Sequence, residues 1–243
     1  MGTTLEITTD DGTAEAYLTG SGPGVLLFID AIGLRPRIEE MADRIAGWGY
    51  TVLAPNVFYR LGTREELLPP LDLTVPENRK SYGPVIMPRV QGYTPEQSNP
   101  DTERWLDVLG EHAAPGRVGV TGYCMGARLA IRAAALRPEL VAAAAGFHGA
   151  ALVDGSDESP HLLLPHCRAE FAFGHADADP ANDADAIAEL GRALDAAGLT
   201  ARNETYPDAP HGFSMSDTAS YQEAGAERMF RTIEDLFGRT LRG

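Results

Sequence analysis

Short apolar runs alternate with amphipathic stretches along most of the chain. Leu5 to Thr9 and Ala14 to Leu18 predict two strands joined by the Asp10-Asp11-Gly12 turn. After the turn-forming Gly20-Ser21-Gly22-Pro23-Gly24, the run Val25 to Ile29 is apolar without alternation, as suits a central strand covered on both faces. Ile38 to Trp48 reads as an amphipathic helix ending at Gly49, and Tyr50 to Ala54 as the next buried strand. From about Pro55 to Asn99 prolines crowd the sequence and no period persists. That texture predicts a surface excursion or cap over one end of the sheet. Beyond it the pattern predicts a helix from about Pro100 to His112, then a strand, Arg117 to Thr121. Helix Met125 to Leu136, strand Val141 to Phe147 and strand Ala169 to Phe173 follow. Helix Asn182 to Ala197, strand Ala201 to Tyr206 and a helix from about Asp217 to Phe237 complete the reading. Strands separated by helices imply an α/β class: a mostly parallel, doubly wound sheet with helices on both faces. The 243 residues are read as one such domain.

Charge narrows the partners. Twenty basic residues face 35 acidic ones, a net charge of −15, which argues against nucleic acid or an anionic membrane surface. The longest apolar runs, Gly24 to Ile29 and Val141 to Phe147, fall far short of a membrane span. No basic-plus-apolar leader opens the sequence, and only Cys124 and Cys167 occur. A cytoplasmic, reducing compartment is expected, where cysteines are free, metal-bound or catalytic. The expected partner is a small-molecule substrate, and the expected state a monomer or small homo-oligomer.

Gly122-Tyr123-Cys124-Met125-Gly126 joins an apolar strand to a helical stretch. A nucleophile elbow needs that context: a nucleophile on a strained, tight turn, with small residues two positions either side so that strand and helix can approach. The competing reading is a buried structural cysteine beside packing glycines. A thiol nucleophile needs a base, and the base an orienting acid, in the chain order nucleophile, acid, histidine. His211 fits, in the loop Pro207 to Phe213 after a strand; Asp177 fits, just past strand Ala169 to Phe173. Asp179, Asp183 and Asp185 crowd Asp177, and Asp179 is its rival for the acid role. Ala181 and Asn182 stand where a calcium loop needs a ligand and a glycine. His161, His166 and Cys167 have no further motif-spaced ligand. No metal or organic cofactor is expected.

With these residues in place the chain resembles the dienelactone hydrolase family, cysteine-nucleophile members of the α/β-hydrolase fold. The resemblance covers nearly the whole length. It rests on the elbow, on Gly174-His175-Ala176-Asp177 and on Pro210-His211-Gly212-Phe213. It also includes Asp30-Ala31-Ile32-Gly33, and Gly49-Tyr50 through Pro55-Asn56-Val57-Phe58-Tyr59-Arg60. The resemblance implies ester or lactone hydrolysis in which Cys124 attacks the carbonyl, His211 moves the proton and Asp177 fixes the imidazole. The oxyanion would rest on the backbone N–H groups of Met125 and Ala31. Asp30 stands where the family carries a glutamate that holds the resting thiol. Met215 stands where lactone-degrading members have an arginine that binds the substrate carboxylate. Arg79 and Arg89 are candidates for the second substrate-binding arginine, or else solvated charges. His148 is expected near the mouth of the site, or as a plain loop histidine. With methionine at 215, neutral esters and lactones are expected to be preferred. The alternatives are a thioesterase or other acyl hydrolase on the same triad, or a binding protein that keeps the fold without the chemistry.

Overall fold

The computed structural model describes residues 2–242. The strands are β1 (Thr3–Thr9), β2 (Gly12–Gly20), β3 (Pro23–Phe28), β4 (Thr51–Pro55), β5 (Ala114–Tyr123), β6 (Val141–Phe147), β7 (Glu170–His175) and β8 (Ala201–Thr205). The helices are α1 (Pro36–Ala46), α2 (Pro76–Gly92), α3 (Pro95–His112), α4 (Met125–Leu136), α5 (Ala184–Ala196) and α6 (Glu223–Leu241). One sheet takes all eight strands in the order β1-β2-β4-β3-β5-β6-β7-β8. β1 and β4 pair antiparallel with β2, and every pairing from β4 to β8 is parallel.

Parallel strands with helices on both faces must be apolar throughout, and β6, Val-Ala-Ala-Ala-Ala-Gly-Phe, is buried at every position. Its small side chains let helices come close to the sheet. Gly119 in β5 does the same for α6, because a Cβ there would lie 2.7 Å from the ring of Phe237. On the other side Trp105 of α3 is fully buried, edge-on to Phe28 with ring centroids 6.3 Å apart. Among the described residues no helix is long and apolar enough to cross a membrane.

The proline-rich segment holds more regular structure than its pattern predicts. α2 runs through Pro84 and Pro88 and buries only Tyr82 and Ile86, so it shows no apolar stripe. α3 begins at Pro95 rather than near residue 100, with Pro100 tolerated inside its second turn. α2 forms a helical cover over the cavity at the carboxyl ends of β3 and β5, while α3 packs on the face of the sheet against β3. Those ends are where an open α/β sheet gathers its binding loops.

Candidate active site

Cys124 caps α4 with φ 54° and ψ −117°, a conformation costly for any residue with a Cβ. Its surroundings over-determine it. Cys124 N–H donates to the Phe147 carbonyl at 3.1 Å, and Ala150 N–H donates to the Cys124 carbonyl at 3.3 Å. A Cβ at Gly122 would lie 2.0 Å from the Gly126 carbonyl oxygen, and one at Gly126 would lie 2.7 Å from the carbonyl oxygens of Phe28 and Ile29. Both glycines are therefore required by the close approach of β5, β3 and α4. Strain recurs around the rim. His148, Ala151, Ala178 and Asp208, in loops after β6, β7 and β8, also have positive φ.

His211, in the loop after β8, lies with Nε2 3.2 Å from Cys124 Sγ. Its Nδ1–H donates to Asp179 Oδ2 at 2.6 Å. The acid that meets the imidazole is thus Asp179, not Asp177. Asp177 is exposed and ties two loops together: its N–H donates to the Ala209 carbonyl, and its Oδ2 accepts the Asp208 N–H at 2.9 Å. Ala178 then turns left-handed and delivers Asp179 inward, where Oδ1 accepts the Ala181 N–H at 2.9 Å. Asp179 is 5% exposed. Burial works against a charge on His211, but the Cys124 thiolate beside it and the bond to Asp179 outweigh burial and raise its pKa to about 10.

Asp30 does not reach the thiol. Its two oxygens take a bidentate ion pair from Arg35, at 2.6 and 3.0 Å, and Oδ1 also accepts the Ile32 N–H. Arg35 continues to Asp217 through Nε at 2.5 Å. Burial opposes the Arg35 charge, and the two carboxylates more than offset it, so its pKa is raised. The family's thiol-holding glutamate is replaced here by a carboxylate committed to a buried arginine. That pin fixes the loop carrying Ala31, and Ala31 and Met125 both line the cavity at Cys124. Neither N–H enters a hydrogen bond among the described residues.

The cavity measures about 470 Å³. His148 and Met215 are both buried in its wall. His148 Nε2 meets Ser214 Oγ at 2.8 Å, its Nδ1 has no partner among the described residues, and its ring stands edge-on to His211 and Phe213. Burial and the neighbouring His211 hold its pKa well below the ordinary imidazole value, so it is neutral. Arg79 lines the cavity and its buried Nε is unpartnered. Arg89 does not line it; its guanidinium donates to the carbonyls of Leu67 and Ile32 and braces the cover. Arg128 lines the cavity, although nothing in the sequence reading singled it out. The signal was there: it follows Cys124 by four residues on a helix, one turn along the same face. Met215 brings no charge to the cavity wall, while guanidinium groups reach that wall from α2 and α4.

A nucleophile elbow at the carboxyl edge of this sheet, facing a histidine and an acid from later loops, defines the α/β-hydrolase fold. The dienelactone hydrolase family profile matches residues 13–241. The chain is 27% identical to carboxymethylenebutenolidase 1 of Cupriavidus pinatubonensis over 243 aligned positions, covering 96% of this chain and 95% of that one. It superposes on the dienelactone hydrolase of Anabaena variabilis with a TM-score of 0.68 at 19% identity, covering 99% of this chain and 98% of that one. A dienelactone hydrolase-like promiscuous phosphotriesterase from metagenomic libraries gives a TM-score of 0.80 at 17% identity, with 99% and 98% covered. The chain belongs to the dienelactone hydrolase family and is a hydrolase of that type.

Proposed function

We propose that the protein cleaves carboxylic esters or lactones through a Cys124–His211–Asp179 triad and a thioester intermediate. The carrying observation is the continuous contact from Sγ to Nε2 and from Nδ1 to the buried Asp179 carboxylate. The reacting form is the ion pair of the His211 imidazolium and the Cys124 thiolate. The positive end of α4 behind the sulfur and the adjacent cation both favour that pair. The thiolate attacks the carbonyl carbon, and the oxyanion that forms is received by the Ala31 and Met125 N–H groups. As the C–O bond breaks, His211 Nε2–H gives its proton to the departing alkoxide, leaving the acyl group on Sγ. Water then enters, His211 removes its proton, and the second tetrahedral intermediate expels the thiolate with the acid as product. Asp179 keeps the proton of Nδ1 in place throughout, so that Nε2 is the nitrogen that cycles.

Thioesters would pass through the same steps. Both cysteines are free, so Cys124 is available as a thiol. The test is a short-chain p-nitrophenyl ester assay on wild type and Cys124→Ala, with mass spectrometry of the quenched reaction. A mass increase of one acyl group in the wild type and not in the variant supports the reading. Unchanged turnover in Cys124→Ala overturns it.

A further inference from the structure

Cys124 follows β5 and His211 follows β8, and in the sheet β6 and β7 lie between those strands. The 3.2 Å contact from Sγ to Nε2 therefore depends on what holds the two loops at a fixed spacing. The segment after β6 spans that gap. On one side it grips the elbow: the Phe147 carbonyl accepts the Cys124 N–H at 3.1 Å, and the Ala150 N–H donates to the Cys124 carbonyl at 3.3 Å. His148 sits between those two bonds. Its own N–H donates to the Gly174 carbonyl of β7 at 2.8 Å, and its φ of 38° is a left-handed angle that an unrestrained histidine would leave.

On the other side the His148 ring meets the loop that carries His211. Nε2 shares a hydrogen bond at 2.8 Å with Oγ of Ser214, three residues after His211. The ring stands edge-on to Phe213 and His211, with centroids 4.9 and 5.5 Å away. Ser214 is fully buried, and its carbonyl accepts two bonds from the Arg37 guanidinium, at 2.8 and 3.2 Å. The contact therefore ends on a fixed point. Chemistry favours an imidazole here. The charged groups that act on His148 are both cations, His211 and, at longer range, Arg79. A second cation in its place would repel the His211 imidazolium, and a carboxylate would compete with Asp179 for it. A neutral ring supplies the hydrogen bond without a charge. Resting on the triad reading, we propose that His148, through Ser214, is a positioning residue for His211, a strut that sets the distance between the base and its thiol.

The test separates the bond from the bulk. His148→Phe keeps a ring against Phe213 and His211 and removes the hydrogen bond, Ser214→Ala removes its partner, and His148→Gln places an amide near the position of Nε2. Hydrolysis of a p-nitrophenyl ester is measured on these and on the His148→Phe/Ser214→Ala double variant, with the pH profile of Cys124 alkylation by iodoacetamide. His148→Phe and Ser214→Ala should each lower kcat by about tenfold to a hundredfold, the cost of a displaced catalytic group, with KM within about threefold. The double variant should be no slower than the worse single one, since both remove the same bond. His148→Gln should recover most of kcat. The pH of half-maximal alkylation should rise in His148→Phe and Ser214→Ala toward the ordinary thiol value of about 8.5, because a thiolate held less closely by the imidazolium is easier to protonate. A side chain that only filled space would not move that midpoint. An unchanged kcat, a raised KM with kcat intact, losses that multiply in the double variant, or an unmoved midpoint overturns the strut while leaving the Cys124 chemistry intact. Should His148→Phe not fold, Ser214→Ala decides by the same kcat and midpoint. A wild type that is inactive on esters, or whose midpoint already stands near 8.5, refutes the triad reading and this inference together.

Discussion

Asp179 Oδ2 lies 2.6 Å from His211 Nδ1, while Asp177, two residues earlier, turns outward to hold the Asp208 N–H. The two carboxylates share a loop and a charge, so exchanging each for its amide separates their roles. Asp179→Asn should lower kcat by about a thousandfold or more, as when a triad loses its acid. Asp177→Asn should change kcat less than about threefold and cost of order 1 kcal/mol of stability through the weakened loop contact. Steady-state kinetics and denaturant unfolding of both variants check the ranking.

The raised pKa of His211 has a source that can be removed. Burial lowers it, and the thiolate and Asp179 raise it to about 10. In NMR titrations the wild-type imidazole should therefore stay protonated well past pH 8. Cys124→Ala should shift its titration downward, since the thiolate contribution is gone. The stability linked to this proton has a definite sign. It is fully present below the ordinary imidazole value of about 6.5 and is lost as pH rises toward 10. A wild-type titration near 6.5 would exclude the ion pair.

Asp30 offers a contrast between fold and reactivity. Its carboxylate is engaged by Arg35 rather than by the thiol. Asp30→Ala should leave the rate of Cys124 alkylation by iodoacetamide within about twofold, while removing one arm of a buried pair should cost about 3–5 kcal/mol. Thermal unfolding and alkylation kinetics on the same preparation test both halves.

At the elbow, Gly122→Ala would push a methyl group to within 2.0 Å of the Gly126 carbonyl oxygen. Backbone must move to relieve that clash. A loss of about 3 kcal/mol or more is expected, beyond the usual range for an overpacked side chain. Turnover should fall with it, because the shift moves Sγ relative to Nε2. Denaturant midpoints and ester turnover report the two effects.

The alternation of apolar runs and amphipathic helices carried the class of fold, and the Gly-x-Cys-x-Gly turn carried the place of Cys124 between β5 and α4. Both are local: a few adjacent residues state them. The excursion was less legible, because α2 buries only Tyr82 and Ile86 and contains two prolines, so neither period nor propensity marks it as a helix. The acid's place depended on one backbone angle. Ala178 adopts φ 50°, and nothing about an alanine announces a left-handed residue. Without that turn Asp177 is the natural choice; with it the buried carboxylate is Asp179. Asp30 was misleading for a related reason. Its partner Arg35 is only five residues away, but the arginine is also held by Asp217, from the far end of the chain, which no local pattern announces. Arg128 is legible in spacing, one turn into the helix that Cys124 caps, but only its burial in the cavity wall sets it apart from a solvated helix arginine.

Among the described residues, five other than glycine sit at positive φ, and four of the strand-end loops that frame the cavity contain them all. Each such residue stores of order 1–3 kcal/mol that neighbouring contacts must offset. The backbone least at ease is therefore the backbone that does the work, while β6 and the last six residues of β5 beneath it are buried. On gentle heating, inactivation should run ahead of the melting of the sheet, with the rim loops exchanging their amide hydrogens first. Thermal tolerance in this enzyme would accordingly be gained by bracing the rim, and a stronger core would lengthen the life of the protein without lengthening the life of its activity.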